Sequence, residues 1–228
     1  MWYFDSSMLI VLPALLLSLW AQSRVQAAYQ KYSRVASQRG WTGAEMARDM
    51  LERAGIQMPV RKTAGHLSDH YDPKRGEVRL SEGVYDATSV AALGIAAHEI
   101  GHVLQQQEQY APFWMRQKLV PLAHIASQAA TPLFFLGLVL GFEPLLWAGI
   151  LVFMAVVLFY LVTLPLEWNA SKRALEALEN GGYLTRDEIP SAKGVLNAAA
   201  LTYLAAALQA VLTLLRLAVL AGRRNSRD

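Results

Sequence analysis

Four stretches of this 228-residue chain are apolar over about the 20 residues that a helix needs to cross a bilayer. They run from about Tyr3 to Ser23, Leu119 to Gly141, Pro144 to Leu166 and Val195 to Ala221. The pattern predicts four transmembrane helices. Segment 24–118, between the first two, has instead the mixed pattern of a water-facing domain. The first helix is expected to continue to about Val35. A second runs from Thr42 to Ala54: Thr42 with Glu45 three positions on is a capping-box signal, and Gly55 suits the helix end. Asp72-Pro73-Lys74-Arg75-Gly76 is turn chemistry, and Glu77-Val78-Arg79-Leu80 alternates as a short strand does. A long apolar helix is predicted from about Thr88 to Gln107. A further helix covers Glu167–Glu179 and is closed by Asn180-Gly181-Gly182. There is no internal repeat. The fold class is therefore mainly α: a multi-pass membrane protein of about four transmembrane helices with a small β element.

Composition strengthens this reading. Hydrophobic residues make up 54% of the chain and charged residues 17%, and the mean hydropathy is positive, which places the chain among integral membrane proteins. The first apolar stretch has Asp5 and no basic residue before it, while Arg24, Lys31, Arg34 and Arg39 follow; this is the pattern of an uncleaved anchor with its amino end outside. Segment 24–118 holds 13 Lys and Arg, the hairpin Phe142–Glu143 none, and 167–194 holds 4. The positive-inside rule then puts both charged segments in the cytoplasm. Four crossings leave Arg223, Arg224 and Arg227 outside, against the rule; either the larger bias wins or the last segment does not fully cross. The net charge of +3 is modest and forms no groove-like stripe with interleaved aromatics, so a nucleic-acid partner is not expected; near anionic membrane lipid the same charge is useful. The chain has no cysteine, so a zinc site can draw only on His and carboxylates.

Such a set is present in His98-Glu99-Ile100-Gly101-His102. Four-residue spacing puts both imidazoles on one face of a helix, one turn apart, where they can grip one ion. The residue after the first His then brings a carboxylate beside a water bound to that ion. The alternative, two core histidines and an ordinary helical Glu, would bury three ionisable groups in an apolar helix without partners. Gly101 either lets another backbone pass close to the metal face or is a tolerated helix glycine. A peptidase site needs a third protein ligand. No His follows His102 at short range, so the choice falls on downstream carboxylates. Glu167, 65 residues on, stands at the mouth of the third span, and the two intervening crossings return it to the side of the His pair. It reads as the third ligand or as a snorkelling carboxylate at a membrane boundary.

Several stretches together resemble the YugP-type neutral zinc metallopeptidases, a bacterial membrane family. They are Gly65-His66-Leu67-Ser68-Asp69-His70-Tyr71-Asp72-Pro73, Val78-Arg79-Leu80-Ser81, Ala97-His98-Glu99-Ile100-Gly101-His102, Leu164-Pro165-Leu166-Glu167-Trp168-Asn169-Ala170-Ser171 and Val195-Leu196-Asn197-Ala198-Ala199-Ala200-Leu201-Thr202-Tyr203. More distantly the chain is similar to the HtpX and CAAX-prenyl membrane peptidases, which implies a gluzincin-like core with Glu167 as third ligand. Those relatives carry an Asp one turn after that Glu where this chain has Ser171, which leaves the outer partner of the imidazoles open. The resemblance implies one Zn2+ per chain held by His98, His102 and Glu167, with Glu99 as the catalytic base that moves a proton from water to the leaving amine. The same ligand set would accept Co2+ or Mn2+. The resemblance also implies that the backbone of Val78-Arg79-Leu80 is either an edge strand for an extended substrate or an ordinary strand.

The expected organisation is a transmembrane anchor at 1–23, a cytoplasmic catalytic segment at 24–118, a transmembrane hairpin at 119–166, a cytoplasmic helix with the third ligand at 167–194, and a last transmembrane helix with a basic tail at 195–228. The expected function is a zinc-dependent endopeptidase of the plasma membrane, its catalytic site facing the cytoplasm, acting on membrane or membrane-proximal polypeptides. Two alternatives remain: a non-catalytic metal-binding scaffold, and an intramembrane site-2-type protease. The last would need its metal motif inside a span and an Asp-Gly pair, and no such pair occurs. His66 and His70 are expected in a loop beside the cleft, with a second metal site as an alternative; His70 or Tyr71 could contact substrate or an oxyanion, and Tyr203 could donate to an oxyanion. His124, Ser127, Gln128 and Thr131, and separately Thr202, Gln209 and Arg216, form polar stripes in the spans, read as interhelical hydrogen bonding or as the wall of a hydrated cavity.

Overall fold

The computed structural model describes residues 6–225. Tyr3 and Asp5 at the start of the first predicted span and Arg227 in the tail lie outside the described residues, as does the side chain of Arg224. The elements follow in the order α1 (Met8–Tyr32), α2 (Gly43–Arg53), β1 (Val60–Thr63), β2 (His70–Asp72), β3 (Glu77–Ser81), α3 (Glu82–Tyr85), α4 (Val90–Gln107), α5 (Ala111–Leu140), α6 (Glu143–Asn180) and α7 (Ile189–Asn225). Helices α1, α5, α6 and α7 are long and apolar enough to cross a membrane, so the fold is that of a mainly α, multi-pass membrane protein. The metal motif lies on α4, which is not one of these four. Predicted and observed boundaries differ most on α6: the helix expected at Glu167–Glu179 is the continuation of the third span, in one unbroken helix.

The chain divides into two compact units, one made of residues 1–21, 114–165 and 202–228, the other of 22–113 and 166–201. The first is inside out by the standards of a soluble protein. Its core is small and built from Ala126, Ala130, Phe134, Leu146, Ile150, Phe153, Val156, Leu217 and Ala221, while Leu9, Leu16, Ile125, Val139 and Leu151 stand exposed. Lipid is the solvent for which such a surface is satisfied. The α5–α6 hairpin closes tightly because it uses glycines: a Cβ on Gly137 would stand 2.4 Å from the Leu146 nitrogen, and one on Gly149 would stand 2.6 Å from that of Phe134. The predicted stripe on α5 is bonded more locally than expected. His124 pairs with Gln128 one turn on at 3.0 Å, and Ser127 donates to the His124 carbonyl, so these bonds lie within α5 and on its exposed face rather than between helices. In α7, Gln209 donates to Thr213 and Arg216 donates to Ser7 at 3.1 Å.

The second unit has a conventional core, with Met46, Leu51, Val78, Leu80, Leu93, Ile100, Leu178 and Tyr183 at its centre. Helix α2 is fixed by the predicted capping box, Thr42 and Glu45 each bonding the other's backbone N–H. Helix α4 starts where Ser89 accepts from the Ala92 N–H. The sheet has the order β1-β3-β2, with β1 parallel and β2 antiparallel to β3. Val78 and Leu80 face the core and are fully buried. This overturns the edge-strand expectation: β3 is the central strand, with Val78 and Arg79 paired on both sides, to Val60 and Arg61 across one edge and to Tyr71 and His70 across the other. His70 is likewise corrected from loop to strand, while His66 stays in the loop, edge-on to Tyr29 at 4.9 Å.

Candidate active site

Helix α4 carries His98 and His102 one turn apart with their rings 4.8 Å from each other, and α6 brings Glu167 against both. The close approach of these two helices depends on Gly101. A Cβ at that position would stand 2.8 Å from the Ala170 carbonyl oxygen, so any side chain would push α6, and Glu167 with it, away from the imidazoles. Of the two readings open for Gly101, the structure favours close backbone approach.

The donor atoms converge. His98 Nε2 lies 3.2 Å and His102 Nε2 3.5 Å from the same oxygen, Glu167 Oε2, and one ligand atom from each of the three lies within 4.8 Å of the others. Ligands around a tetrahedral zinc with bonds of about 2.0–2.1 Å stand about 3.3 Å apart, so the spacing fits such an ion. Among the described residues this is the one cluster of three or more such ligands, and His66 and His70 do not form a second. Glu167 is buried, its side chain 3% exposed, while the His98 and His102 side chains are 13% and 10% exposed.

The outer ring nitrogens are engaged as well. His98 Nδ1 is 3.2 Å from Ser171 Oγ and His102 Nδ1 is 2.9 Å from Gln105 Oε1. Ser171 thus stands where distant relatives carry Asp, and it reaches His98. When both rings carry their proton on Nδ1, where the Ser171 hydroxyl and Gln105 Oε1 can accept it, the Nε2 lone pairs of both rings and the Glu167 carboxylate point at one place, an arrangement that repels itself unless a cation sits there. In the metal-free protein a proton can take that part. Burial opposes charge on His102, but the hydrogen bond and charge of Glu167 outweigh it and hold the imidazole above its ordinary value.

Residues 7–222 match the family model described as "Putative neutral zinc metallopeptidase". The chain belongs to this family. It is also 46% identical over 208 residues, 91% of its length and 92% of the relative's, to "Putative membrane protease YugP" of Bacillus subtilis (strain 168). No solved structure matches the chain. Family membership makes zinc the expected ion for the His98-His102-Glu167 cluster and a protease-like activity the expected chemistry.

Glu99 is buried beside the pair, and its Oε2 accepts the Tyr71 backbone N–H at 2.9 Å. Strand β2 therefore turns its outer edge to α4. The Tyr71 hydroxyl donates to Gln106 Oε1 at 2.6 Å, and its ring stacks on Phe113. That hydroxyl is committed to α4, so Tyr71 serves here through its backbone. Tyr203 is half-buried on α7, in the membrane unit. Sequence reasoning missed Gln105, Asn169 and Arg173. Gln105 is fully buried, and its Nε2 donates to the Leu166 carbonyl at 2.8 Å and to Asn169 Oδ1 at 2.9 Å. Arg173 Nε donates to the same Asn169 oxygen at 2.7 Å, and its two terminal nitrogens grip the Glu108 carboxylate.

Proposed function

We propose that this chain is a zinc-dependent endopeptidase of the plasma membrane, with one Zn2+ held by His98, His102 and Glu167 and with Glu99 as its base. The observation that carries the reading is the convergence of three lone-pair donors whose outer nitrogens are already bound, next to a buried carboxylate that is not one of the three. His98, His102 and Glu167 would hold the zinc ion, which when bound would lower the pKa of its water toward neutral and act as a Lewis acid. Glu99 is the residue placed to act as base: it would accept a proton from the attacking water and pass it to the leaving nitrogen. The Tyr71 amide holds Glu99 through Oε2, which leaves Oε1 for proton transfer. His98 and His102 act as neutral ligands through Nε2; Gln105 holds His102 in that tautomer, and Ser171 engages the Nδ1 of His98.

The substrate we assign is a polypeptide of the membrane or its immediate surface, because Glu167 directly follows the apolar run of the third span. The charge bias of segment 24–118 supports a catalytic site facing the cytoplasm. The test is to purify wild type and Glu99→Gln in detergent, show equal zinc in both, and compare cleavage of an unfolded protein such as casein and of a single-span membrane protein. Cleavage by wild type alone supports the reading. Equal cleavage by both removes Glu99 from the mechanism, and zinc binding without cleavage of either substrate favours the non-catalytic scaffold.

A further inference from the structure

A chain of hydrogen bonds leads away from the metal cluster, and its direction can be read from one end to the other. Arg173 has only donors. Its Nε–H therefore fixes which end of the Asn169 amide faces it: the oxygen, at 2.7 Å. The group that shares that oxygen must also be a donor, which orients the Gln105 amide with Nε2 toward Asn169. The Leu166 carbonyl, an acceptor only, demands the same orientation from the other side at 2.8 Å. Gln105 Oε1 is then left facing His102, 2.9 Å from Nδ1. An amide oxygen cannot donate, so His102 must carry its proton on Nδ1 and offer the Nε2 lone pair to the cluster.

We propose that Gln105 is the positioning residue of the metal centre, its oxygen fixing the His102 tautomer while its NH2 holds α6 at the carbonyl just before Glu167. One side chain thereby sets a donor atom on α4 and the orientation of the ligand on α6. The burial supports this: Gln105 is fully buried, whereas Gln106 is half-buried and Gln107 exposed. A buried amide is retained at a cost unless each of its groups is matched, and here both ends are. Glu108, at the end of α4, closes the chain by holding Arg173 with two contacts of 2.6 Å.

This inference rests on the metal-centre reading above, and the experiment separates the two. Full-length protein in detergent is stripped of metal, and its Zn2+ and Co2+ affinities are measured by chelator competition and by the Co2+ absorption spectrum. Wild type, His102→Ala, Gln105→Met and Gln105→Glu are compared, with thermal unfolding of the metal-free proteins as a control for folding. Gln105→Met removes the acceptor and is expected to weaken binding roughly tenfold to a hundredfold. Gln105→Glu keeps an acceptor for the His102 Nδ1–H but loses the NH2 that holds α6 at the Leu166 carbonyl, so its affinity is expected to fall between that of the methionine variant and wild type. Should the methionine variant not fold, Gln105→Asn, which draws the amide back by one methylene, takes its place with the same expected loss. Methionine and glutamate variants that bind alike, whether both like wild type or both equally weakly, would overturn the role of the oxygen. If wild type binds neither ion and His102→Ala changes nothing, the metal centre itself is refuted, and the role of Gln105 with it.

Discussion

At the scale of single residues the site is a contest for one small volume between a proton and a metal ion. Burial disfavours charge on His102 and Glu167 favours it more strongly, so the imidazole is held above its ordinary value in the metal-free protein. Its contribution to the stability of that form is fully present below the unfolded value of about 6.5 and is lost as pH rises through the raised folded value. Zinc uptake has the opposite dependence, because the ion must displace the proton. Affinity is expected to increase with pH through this range, with proton release on binding. Calorimetric titrations in buffers of different ionisation enthalpy measure that release, and a binding heat that is the same in all of them would contradict it. Glu99 answers to a different readout: Glu99→Gln is expected to lower cleavage roughly a hundredfold to ten-thousandfold with zinc content unchanged. The convergence of the His pair was legible in the sequence because four-residue spacing on a helix puts both rings on one face. Gln105 was not. It opens a run of three glutamines that reads as the polar end of a helix, and only the fold reveals that the first is buried while Gln107 is exposed.

At the scale of elements, the centre depends on how closely α4 and α6 approach. Gly101→Val would drive a side chain into the Ala170 carbonyl; an overpacking cost of about 1–3 kcal/mol is expected, seen as a lower unfolding temperature together with lost zinc. Thr42→Ala offers a contrast, since it breaks a cap remote from the metal. It is expected to cost about 1 kcal/mol and to leave the bound zinc unchanged, so thermal unfolding and metal analysis on the same two samples distinguish a global from a local effect. The elements differ in how well the sequence announced them. The capping box and the apolar spans follow from local rules and were read correctly. Strands β1 and β2 have only four and three residues, too short for a period to emerge, and without them β3 could be taken for an edge. Helix α6 was cut at Leu166 because the side chains turn polar there, whereas backbone hydrogen bonds continue regardless of side-chain polarity.

At the scale of the whole molecule, the spans were the most legible feature, because a bilayer imposes a length and a polarity that few other environments do. Orientation follows from charges that lie outside them and can be tested directly, since the chain has no cysteine of its own. A single cysteine in place of Lys74, in the turn before β3, is expected to react with a membrane-impermeant maleimide only after cells are permeabilised. One in place of Phe142, in the hairpin between α5 and α6, is expected to react in intact cells. The reverse labelling pattern would put the catalytic side outside.

Helix α6 has one interruption in its hydrogen-bond ladder, because Pro165 has no N–H to offer the carbonyl one turn back. A rod with a single missing rung bends there first. Measured from that joint, Glu143 lies about 33 Å away along the axis and Glu167 about 3 Å, at 1.5 Å per residue. A bend of about 20° would sweep the far end through about 11 Å and shift the backbone of Glu167 by about 1 Å. The missing rung thus lies only two residues before the ligand, so a bend there displaces the far end of the helix about ten times as much as the backbone of Glu167.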